Sequence, residues 1–269
     1  MTAAFDHIAH QYDAAFTRSP IGMLQRKLVW DFLEASMNGD KPLEILELNC
    51  GTGEDALWMA QHQHKVLATD ISEEMIHVAE QKAMIQPSTN NISFEAMDIL
   101  DSGNKMAGKT FDMVFSNFGG LNCLSPDELS GWLRKEMPLL LNRGGKMVAV
   151  IMPRFCIWES LYFIAKLRFR KAFRRLSKKA VVGKISDGVS VNTWYYSPRW
   201  IKKQLPETMT VTAVKPIGFF VPPSYLNAFF GKRKKLLHLL EKAERWICNN
   251  RIAAGFSDHY LVEIQRIHI

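Results

Sequence analysis

The sequence lacks the features that mark exported and membrane-spanning proteins. No window approaches about 18 consecutive apolar residues without a charge, so no transmembrane helix is predicted. The opening residues, MTAAFDHIAHQYD, have neither the basic region nor the apolar region of a signal peptide. We therefore expect a cytoplasmic protein.

Cysteine is scarce, and its spacing is not that of a disulfide or metal framework. None of the four cysteines forms a CxxC motif; they are Cys50, Cys123, Cys156 and Cys248. No metal site, internal repeat or low-complexity tract is predicted. With 269 residues, 47% hydrophobic and 23% charged, the chain is long enough to build one globular core without disulfides or metals.

The positive charge of the chain is local. Residues 162–184 contain nine basic residues and no acidic one, whereas the rest of the chain has 25 basic and 27 acidic residues. The pI of about 9.2 therefore does not by itself argue for nucleic-acid binding.

The same segment has apolar residues at helical spacing, namely Tyr162, Ala165, Phe169, Phe173 and Leu176. This pattern predicts a basic amphipathic helix that contacts an anionic membrane surface or an acyl carrier protein. A solvated helix over the substrate site is the alternative. A nucleic-acid partner is disfavoured because no nucleic-acid-binding module is recognisable.

Apolar runs with strand character alternate with helical patterns in the first half of the chain. The candidate strands are residues 43–48, 65–70, 91–96, 111–116 and 146–152. Ser72 is a predicted N-cap, and Ser125, Pro126 and Glu128 form a capping-box pattern. This alternation predicts an α/β fold with a parallel sheet.

The flanking segments divide the single domain into four parts. Residues 1–40 are predicted as a lid of two helices, residues 2–16 and 20–37, and residues 41–152 as the cofactor-binding core. Residues 153–230 hold an insertion after the fifth strand, a helix starting at Ser197 and a strand over 209–219. Residues 231–269 hold a helix, 234–248, and the last strand, 258–267.

A glycine loop follows the first strand. Gly51-x-Gly53-x-x-Ala56 stands where an open α/β sheet binds a nucleotide-like ligand, and this pattern alone fits both a nicotinamide cofactor and S-adenosylmethionine. Acidic residues end the first three strands: Glu47, Asp70 and Asp98. A carboxylate after the second strand can accept both ribose hydroxyls, and one after the third can accept the adenine amine. Helix caps and turns are the alternative.

Five ordered motifs carry a resemblance to a known family: ILELNCGTGEDA (45–56), VLATDIS (66–72), FEAMDIL (94–100), FDMVFSNF (111–118) and LLNRGGKMVAVI (140–151). Together they resemble the class I S-adenosylmethionine-dependent methyltransferases of the small-molecule type. The resemblance implies a Rossmann-like, mostly parallel sheet with an antiparallel last strand, and S-adenosylmethionine as cofactor. Family members usually have glycine where Asn49 stands, although asparagine tolerates positive φ better than most residues.

The resemblance also assigns the cofactor site. The implied cofactor-binding residues are Tyr12, Glu47, Asn49, Gly51, Gly53, Asp70, Ile71, Met75, Asp98, Ile99, Asn117 and Phe118. Residues 5–13 resemble the lid of small-molecule and quinone methyltransferases. The alternative is an ordinary amphipathic helix packed on the domain.

Methyl transfer depends on alignment and exclusion of water, so a marked catalytic triad is not required. His7 and His10 are the candidate catalytic bases. The candidate substrate-binding residues are Asn122, Tyr195, Tyr196 and Tyr225, with loop capping and core packing as alternatives.

The sequence therefore predicts methylation of an oxygen or carbon atom on a small hydrophobic or aromatic acceptor, with peripheral membrane contact as an option. A non-enzymatic cofactor-binding partner protein and an NAD-dependent oxidoreductase are the alternatives.

Overall fold

The computed structural model describes residues 4–37, 39, 41–86, 90–186 and 189–267, and for Ala15, Lys184 and Ser186 it describes the backbone alone. The predicted lid and last segment thus extend beyond the described residues at 1–3, 38, 40, 268 and 269. The strands are β1 (Glu44–Leu48), β2 (Lys65–Asp70), β3 (Ile92–Ala96), β4 (Phe111–Ser116), β5 (Leu141–Ile151), β6 (Val181–Ser186), β7 (Val189–Thr193), β8 (Met209–Ile217) and β9 (His259–Arg266).

The helices lie between and around these strands. The α-helices are α1 (Ala9–Tyr12), α2 (Pro20–Ser36), α3 (Glu54–Gln61), α4 (Glu73–Met84), α5 (Ser102–Lys105), α6 (Pro126–Lys135), α7 (Met137–Leu140), α8 (Ile157–Ala165), α9 (Phe169–Ala172), α10 (Pro198–Gln204), α11 (Asn227–Phe230), α12 (Lys234–Trp246) and α13 (Arg251–Ala254). The 3₁₀ turns are Asp6–Ile8, Ile99–Asp101, Gly120–Cys123, Arg174–Leu176 and Ser224–Leu226, and Asp13–Thr17 is a π-helical turn. No described helix is long and apolar enough to span a bilayer.

Seven strands form one sheet in the order β3-β2-β1-β4-β5-β9-β8. The strands β3, β2, β1, β4 and β5 pair in parallel, and β9 is antiparallel to both of its neighbours. The predicted fold class is confirmed. Because parallel strands end at the same edge, the loops after β1, β2 and β4 meet there.

The helices begin where the sequence signals predict. The Ser72 hydroxyl accepts from the Met75 amide at 3.1 Å, and Ser125 and Glu128 form the reciprocal bonds of a capping box. Ser19 and Ser197 likewise cap α2 and α10. Each cap satisfies amides that the helix itself leaves without a partner.

Hydrophobic clusters fill both faces of the sheet. One contains Trp132, Met147 and Tyr260, all nearly inaccessible to solvent. The other packs α2, through Val29 and Leu33, near Phe115. Burial on both faces explains why the central strands are continuous apolar runs.

Three predicted elements differ from the structure. The segment 2–16 is not one helix, because a 3₁₀ turn, α1 and a π-helical turn succeed one another over residues 6–17. Strand β5 begins at Leu141 rather than at residue 146, with its pairing to β4 shifted between Phe111 and Met113.

The predicted basic helix over 162–184 is wrong. Helix α8 ends at Ala165, Leu167 has φ of 56°, and residues 181–186 pair with β7 as a hairpin. A left-handed leucine cannot continue a right-handed helix. The insertion after β5 itself is present.

Candidate functional site

The glycine loop takes the left-handed conformations that its sequence permits. Asn49, Gly51 and Gly53 have φ of 50°, 54° and 76°. A Cβ added to Gly53 would lie 2.8 Å from the Ala79 Cβ, so this glycine lets α3 and α4 approach closely. Among the described residues, a Cβ added to Gly51 would meet the Tyr12 ring alone, at 4.0 Å, which leaves room for a ligand beside the backbone.

Asp70 holds two backbone segments at the carboxyl edge of the sheet. Its Oδ2 accepts from the Gly51 amide and its Oδ1 from the Ser72 amide, both at 2.9 Å. Burial raises the pKa of this carboxyl, while the two amide bonds oppose the rise. Each oxygen keeps a second lone pair, so the carboxylate can still accept ribose hydroxyls.

Glu47 is a buried acidic residue whose carboxyl group is not fully hydrogen-bonded within the described part of the chain. This residue is 1% exposed, and its Oε2 has no hydrogen-bond partner among the described residues. Burial raises the pKa of this carboxyl well above its usual range. A cation bound nearby would favour the ionised form of this carboxyl. The ammonium and sulfonium charges of S-adenosylmethionine would supply such a cation.

A cavity of about 90 Å³ joins the loop to the lid. Its lining residues are Phe5, Tyr12, Asn49, Gly51, Asp70, Met75, Asn117, Phe118, Gly119, Gly120 and Cys123. Ligand pockets for drug-sized molecules usually measure about 300–1,000 Å³. The cavity is therefore smaller than a nucleoside-sized ligand needs, and the lid residues Phe5 and Tyr12 form part of its wall.

The other predicted cofactor residues, Glu47 included, lie outside this lining. Asp98 caps the following turn, accepting from the Leu100 amide at 3.0 Å. Ile71 is 57% exposed, Ile99 is half-buried, and Gly53 packs against α4. Their cofactor contacts stay predictions.

The sequence did not predict a buried polar network that lies next to the cavity. Asp55 accepts from Arg26, from the Trp30 indole at 2.7 Å and from the Asn117 amide group at 2.9 Å. The Arg26 guanidinium lies 5.2 Å from the centre of the Phe118 ring. The position of Asp55 two residues after Gly53 is the only sequence signal for this cluster.

Polar contacts fasten the lid to the core. Asp13 accepts from the Thr52 hydroxyl at 2.6 Å and from Lys82 at 2.8 Å, and Lys82 also bonds to Glu54 at 3.0 Å. Despite burial, these bonds lower the pKa of Asp13. Burial raises the pKa of the Tyr12 hydroxyl to about 12, so the lid places a neutral ring over the cavity.

Comparison with known proteins agrees with this geometry. Residues 45–145 match a family model described as a methyltransferase domain. The demethylmenaquinone methyltransferase of Porphyromonas gingivalis is 31% identical over 147 residues, which cover 52% of this chain and 58% of that protein. The tRNA 5-carboxymethoxyuridine methyltransferase of Escherichia coli K12 is 29% identical over 92 residues, or 34% of this chain and 35% of that protein.

Solved structures agree on the fold. The CcbJ methyltransferase of Streptomyces caelestis superposes with a TM-score of 0.64 at 16% identity, covering 99% of each chain. The complex of DhpI with S-adenosylhomocysteine gives 0.60 at 17% identity, covering 98% of this chain and 93% of DhpI. Residues 45–145 therefore match a methyltransferase domain, and the solved structures share the fold of the chain. The predicted family and cofactor class are confirmed. The aligned part of this chain spans about a third of the length of the E. coli relative.

The candidate bases of the methyltransferase domain lie on its surface. His7 is exposed, and the His10 side chain is 68% exposed with its Nε2 3.9 Å from Glu74. Neither histidine lines the cavity. Their catalytic roles stay predictions that require a rearranged lid.

Two of the predicted substrate residues have structural bonds. The Asn122 side chain donates to the carbonyls of Met152 and Trp194 and accepts from the Met152 amide. The Tyr196 hydroxyl donates to the Leu124 carbonyl at 2.6 Å. These bonds join the loops after β4 and β5 and leave few free polar atoms for an acceptor.

The other two predicted substrate residues lie toward the insertion of the methyltransferase domain. The Arg175 guanidinium lies 5.3 Å from the Tyr195 ring centre. Tyr195 also lines a cleft of about 280 Å³ together with Arg154, Lys178 and three other aromatic residues. Tyr225 is 46% exposed and lies 5.6 Å from Tyr162. Their contacts with an acceptor remain predictions.

A charged cluster beside the acceptor edge was also missed. The His259 ring stands edge-on to Phe118 with centres 5.4 Å apart, and its Nδ1 lies 3.2 Å from Asp258 Oδ2. Arg175 donates to Asp258 and Glu159. Although burial opposes it, His259 and Arg175 hold the pKa of Asp258 below its usual range. The cluster joins residues more than 80 positions apart, which no local pattern indicates.

Proposed function

We propose that the protein transfers the methyl group of S-adenosylmethionine to an oxygen or carbon atom of a small apolar or aromatic acceptor. The observation that carries this proposal is the cavity in which Gly51 and Asp70 face the lid residues Phe5 and Tyr12. The similarity to a demethylmenaquinone methyltransferase supports an apolar acceptor.

In this proposal each side chain has a defined task. Bound S-adenosylmethionine supplies an electrophilic methyl group. Asp70 accepts the ribose hydroxyls, Asp98 accepts the adenine amine, and Glu47 balances the positive charge of the methionine part. Phe5 and Tyr12 exclude water from the reacting atoms.

We further propose His259 as the base that takes the proton of an acidic acceptor. It lies against Phe118 of the cavity wall, with its Nδ1 3.2 Å from Asp258 Oδ2. His259→Asn should lower kcat while the affinity for S-adenosylhomocysteine is retained. An unchanged kcat would exclude this role and leave His7 and His10 as the candidates.

Calorimetry with S-adenosylhomocysteine and NAD tests the cofactor. Binding of the first alone supports the methyltransferase, and binding of NAD alone supports the oxidoreductase alternative. Turnover is then assayed with radiolabelled S-adenosylmethionine and a panel of quinols, phenols and carboxylic acids. Cofactor binding without transfer to any acceptor would favour a non-enzymatic partner protein.

Partners of two kinds belong to this proposal. An apolar acceptor would be delivered by an anionic membrane surface or by an acyl carrier protein, and the protein would act in the cytoplasm or at the inner face of a membrane. A tRNA acceptor is the second candidate function, favoured by the relative that methylates tRNA. Methyl transfer to bulk tRNA, and none to small molecules, would establish it.

A further inference from the structure

Two segments that are distant in the sequence meet on one surface of the insertion. The rings of Tyr162 and Tyr225 lie 5.6 Å apart, and those of Trp158 and Phe230 lie 5.4 Å apart. We call the surface formed by residues 161–182 and 225–235 the insertion face. The basic and apolar sequence pattern indicated the segment within 162–184 but not residues 225–235.

The insertion face has positive charge without acidic residues. Its two segments contain no aspartate or glutamate. Ten basic residues on it are exposed: Lys166, Arg168, Arg170, Lys171, Lys178, Lys179, Lys232, Arg233, Lys234 and Lys235. None of the ten forms an ion pair within the described part of the chain. Their charge is therefore available to an external anion.

Two other arginines of the segment have internal roles. Arg174 Nε lies 2.6 Å from Glu159 Oε1, and Arg175 Nη2 lies 2.8 Å from Asp258 Oδ1. Both acidic residues are buried. Arg174 and Arg175 therefore hold the insertion against the core and are not counted in the insertion face.

Large apolar side chains are exposed among these cations. Leu167 is 79% exposed, Leu161 58%, Phe169 56% and Phe229 52%. Cations lie over neighbouring rings: Arg233 is 3.7 Å from the Phe229 ring centre. Single exposed apolar residues are common, but a group of them on one face marks an interaction surface.

We propose that the insertion face binds the surface of an anionic lipid bilayer. Lysine and arginine are attracted to the anionic headgroups, and the apolar side chains enter the boundary between headgroups and acyl chains. RNA offers the same phosphate charge, but the aliphatic side chains of Leu161 and Leu167 gain nothing from phosphates or base stacking. The combination of charge and aliphatic exposure therefore favours lipid.

The face adjoins the acceptor side of the domain. Arg175 of this segment binds Asp258, whose neighbour His259 contacts Phe118 of the cavity wall. If the proposed function holds, an apolar acceptor can pass from the bilayer to the site without crossing water. Vesicle binding itself does not depend on methyl transfer, so the two proposals can fail separately.

Cosedimentation of the full chain with vesicles tests the proposal. We expect binding to vesicles of phosphatidylglycerol and phosphatidylcholine in equal parts, no binding to phosphatidylcholine alone, and weaker binding as salt rises, because the Debye length shortens from about 10 Å at 0.1 M to about 3 Å at 1 M. Equal binding to both kinds of vesicle, or binding to neither, would overturn it.

Charge reversal locates the contact. A triple glutamate variant of three insertion-face residues should bind anionic vesicles at least about a hundredfold more weakly; it replaces Arg168, Arg170 and Lys171. A matched control reverses three exposed lysines on other helices and should bind like the unmodified chain; it replaces Lys135, Lys202 and Lys203. An equal loss in both variants would refute a localised face.

A second variant keeps the test independent of charge. Phe169→Ser combined with Phe229→Ser should weaken vesicle binding at least tenfold while the affinity for S-adenosylhomocysteine stays unchanged, which reports an intact core. Full vesicle binding by this variant would contradict insertion of the apolar side chains. Capture of tRNA or of an acidic carrier protein by the face, with no vesicle binding, would replace lipid as the partner.

Discussion

Replacing Asp70 by asparagine tests the cofactor site with little change in shape. The carboxylate accepts from two backbone amides at 2.9 Å each and is proposed to accept both ribose hydroxyls. Asparagine keeps one oxygen, so one of the two amides faces an NH₂ group and loses its acceptor. The free energy of unfolding should fall by about 1–3 kcal/mol for this loss alone.

The effect on binding adds to the effect on stability. Loss of the charge-assisted bonds to ribose should cost about 1.5–3 kcal/mol, which raises the Kd for S-adenosylhomocysteine about 10- to 150-fold. Asp70→Ala, which removes both oxygens, should cost about 2–4 kcal/mol. Calorimetry measures the Kd, and urea unfolding without ligand measures stability separately.

A matched control is the exposed Asp101, which also follows β3 at the carboxyl edge. Asp101→Asn should change neither quantity, because its carboxylate does not line the cavity. If Asp70→Asn is folded and binds S-adenosylhomocysteine with the original affinity, the assignment of Asp70 to the cofactor is refuted.

Three further changes test the buried charges. Burial raises the pKa of Glu47 above its usual value of about 4.5, so the free energy of unfolding should fall as pH rises from about 4.5 through the folded pKa. Glu47→Gln should flatten this fall in urea unfolding. The same pH slope in both proteins would contradict the assignment to Glu47. Lys82→Met should lower kcat more than cofactor affinity, because Asp13 of the lid loses its ion pair and keeps the Thr52 hydroxyl as a hydrogen-bond donor; unchanged kcat in steady-state assays would exclude a role in closure. Glu244→Gln removes one of the two oxygens that accept from the amides of residues 218–221, so two amides lose their acceptor and Tm should fall by about 4–24 °C in calorimetry; an unchanged Tm would contradict this.

The central sheet could be predicted from the sequence because its signals are local. Strands Lys65–Asp70 and Phe111–Ser116 match the apolar runs at both ends. Their burial on both faces forces continuous hydrophobic sequence, and the serine caps mark the helices that follow. The glycine loop was found for the same reason, since it connects adjacent elements.

The insertion could not be predicted in this way. Its apolar residues have helical spacing, but Leu167 breaks the helix and the following residues join a hairpin. Arg174 and Arg175 read as surface charges until the fold brings Glu159 and Asp258 to them. Long-range pairing overrides local periodicity here.

The candidate site likewise contains residues that the sequence predicts and residues that it does not predict. Gly51 and Asp70 lie at strand ends, where position alone predicts a ligand role. The partnership of Arg26 with Asp55 depends on how α2 packs across the sheet, and the contact of His259 with Phe118 depends on the position of β9 beside β5. Such contacts are decided by topology.

The side chain of Asn49 makes positions 49 and 120 interdependent in evolution. Asn49 accepts from Ser116 and donates to the Asn117 carbonyl, and a Cβ on Gly120 would lie 2.1 Å from its Cγ. Alanine at position 120 would therefore displace this side chain and break both bonds. In a background with glycine at position 49 the same alanine meets no such obstacle. The order in which the two substitutions arise thus decides whether the intermediate sequence is stable.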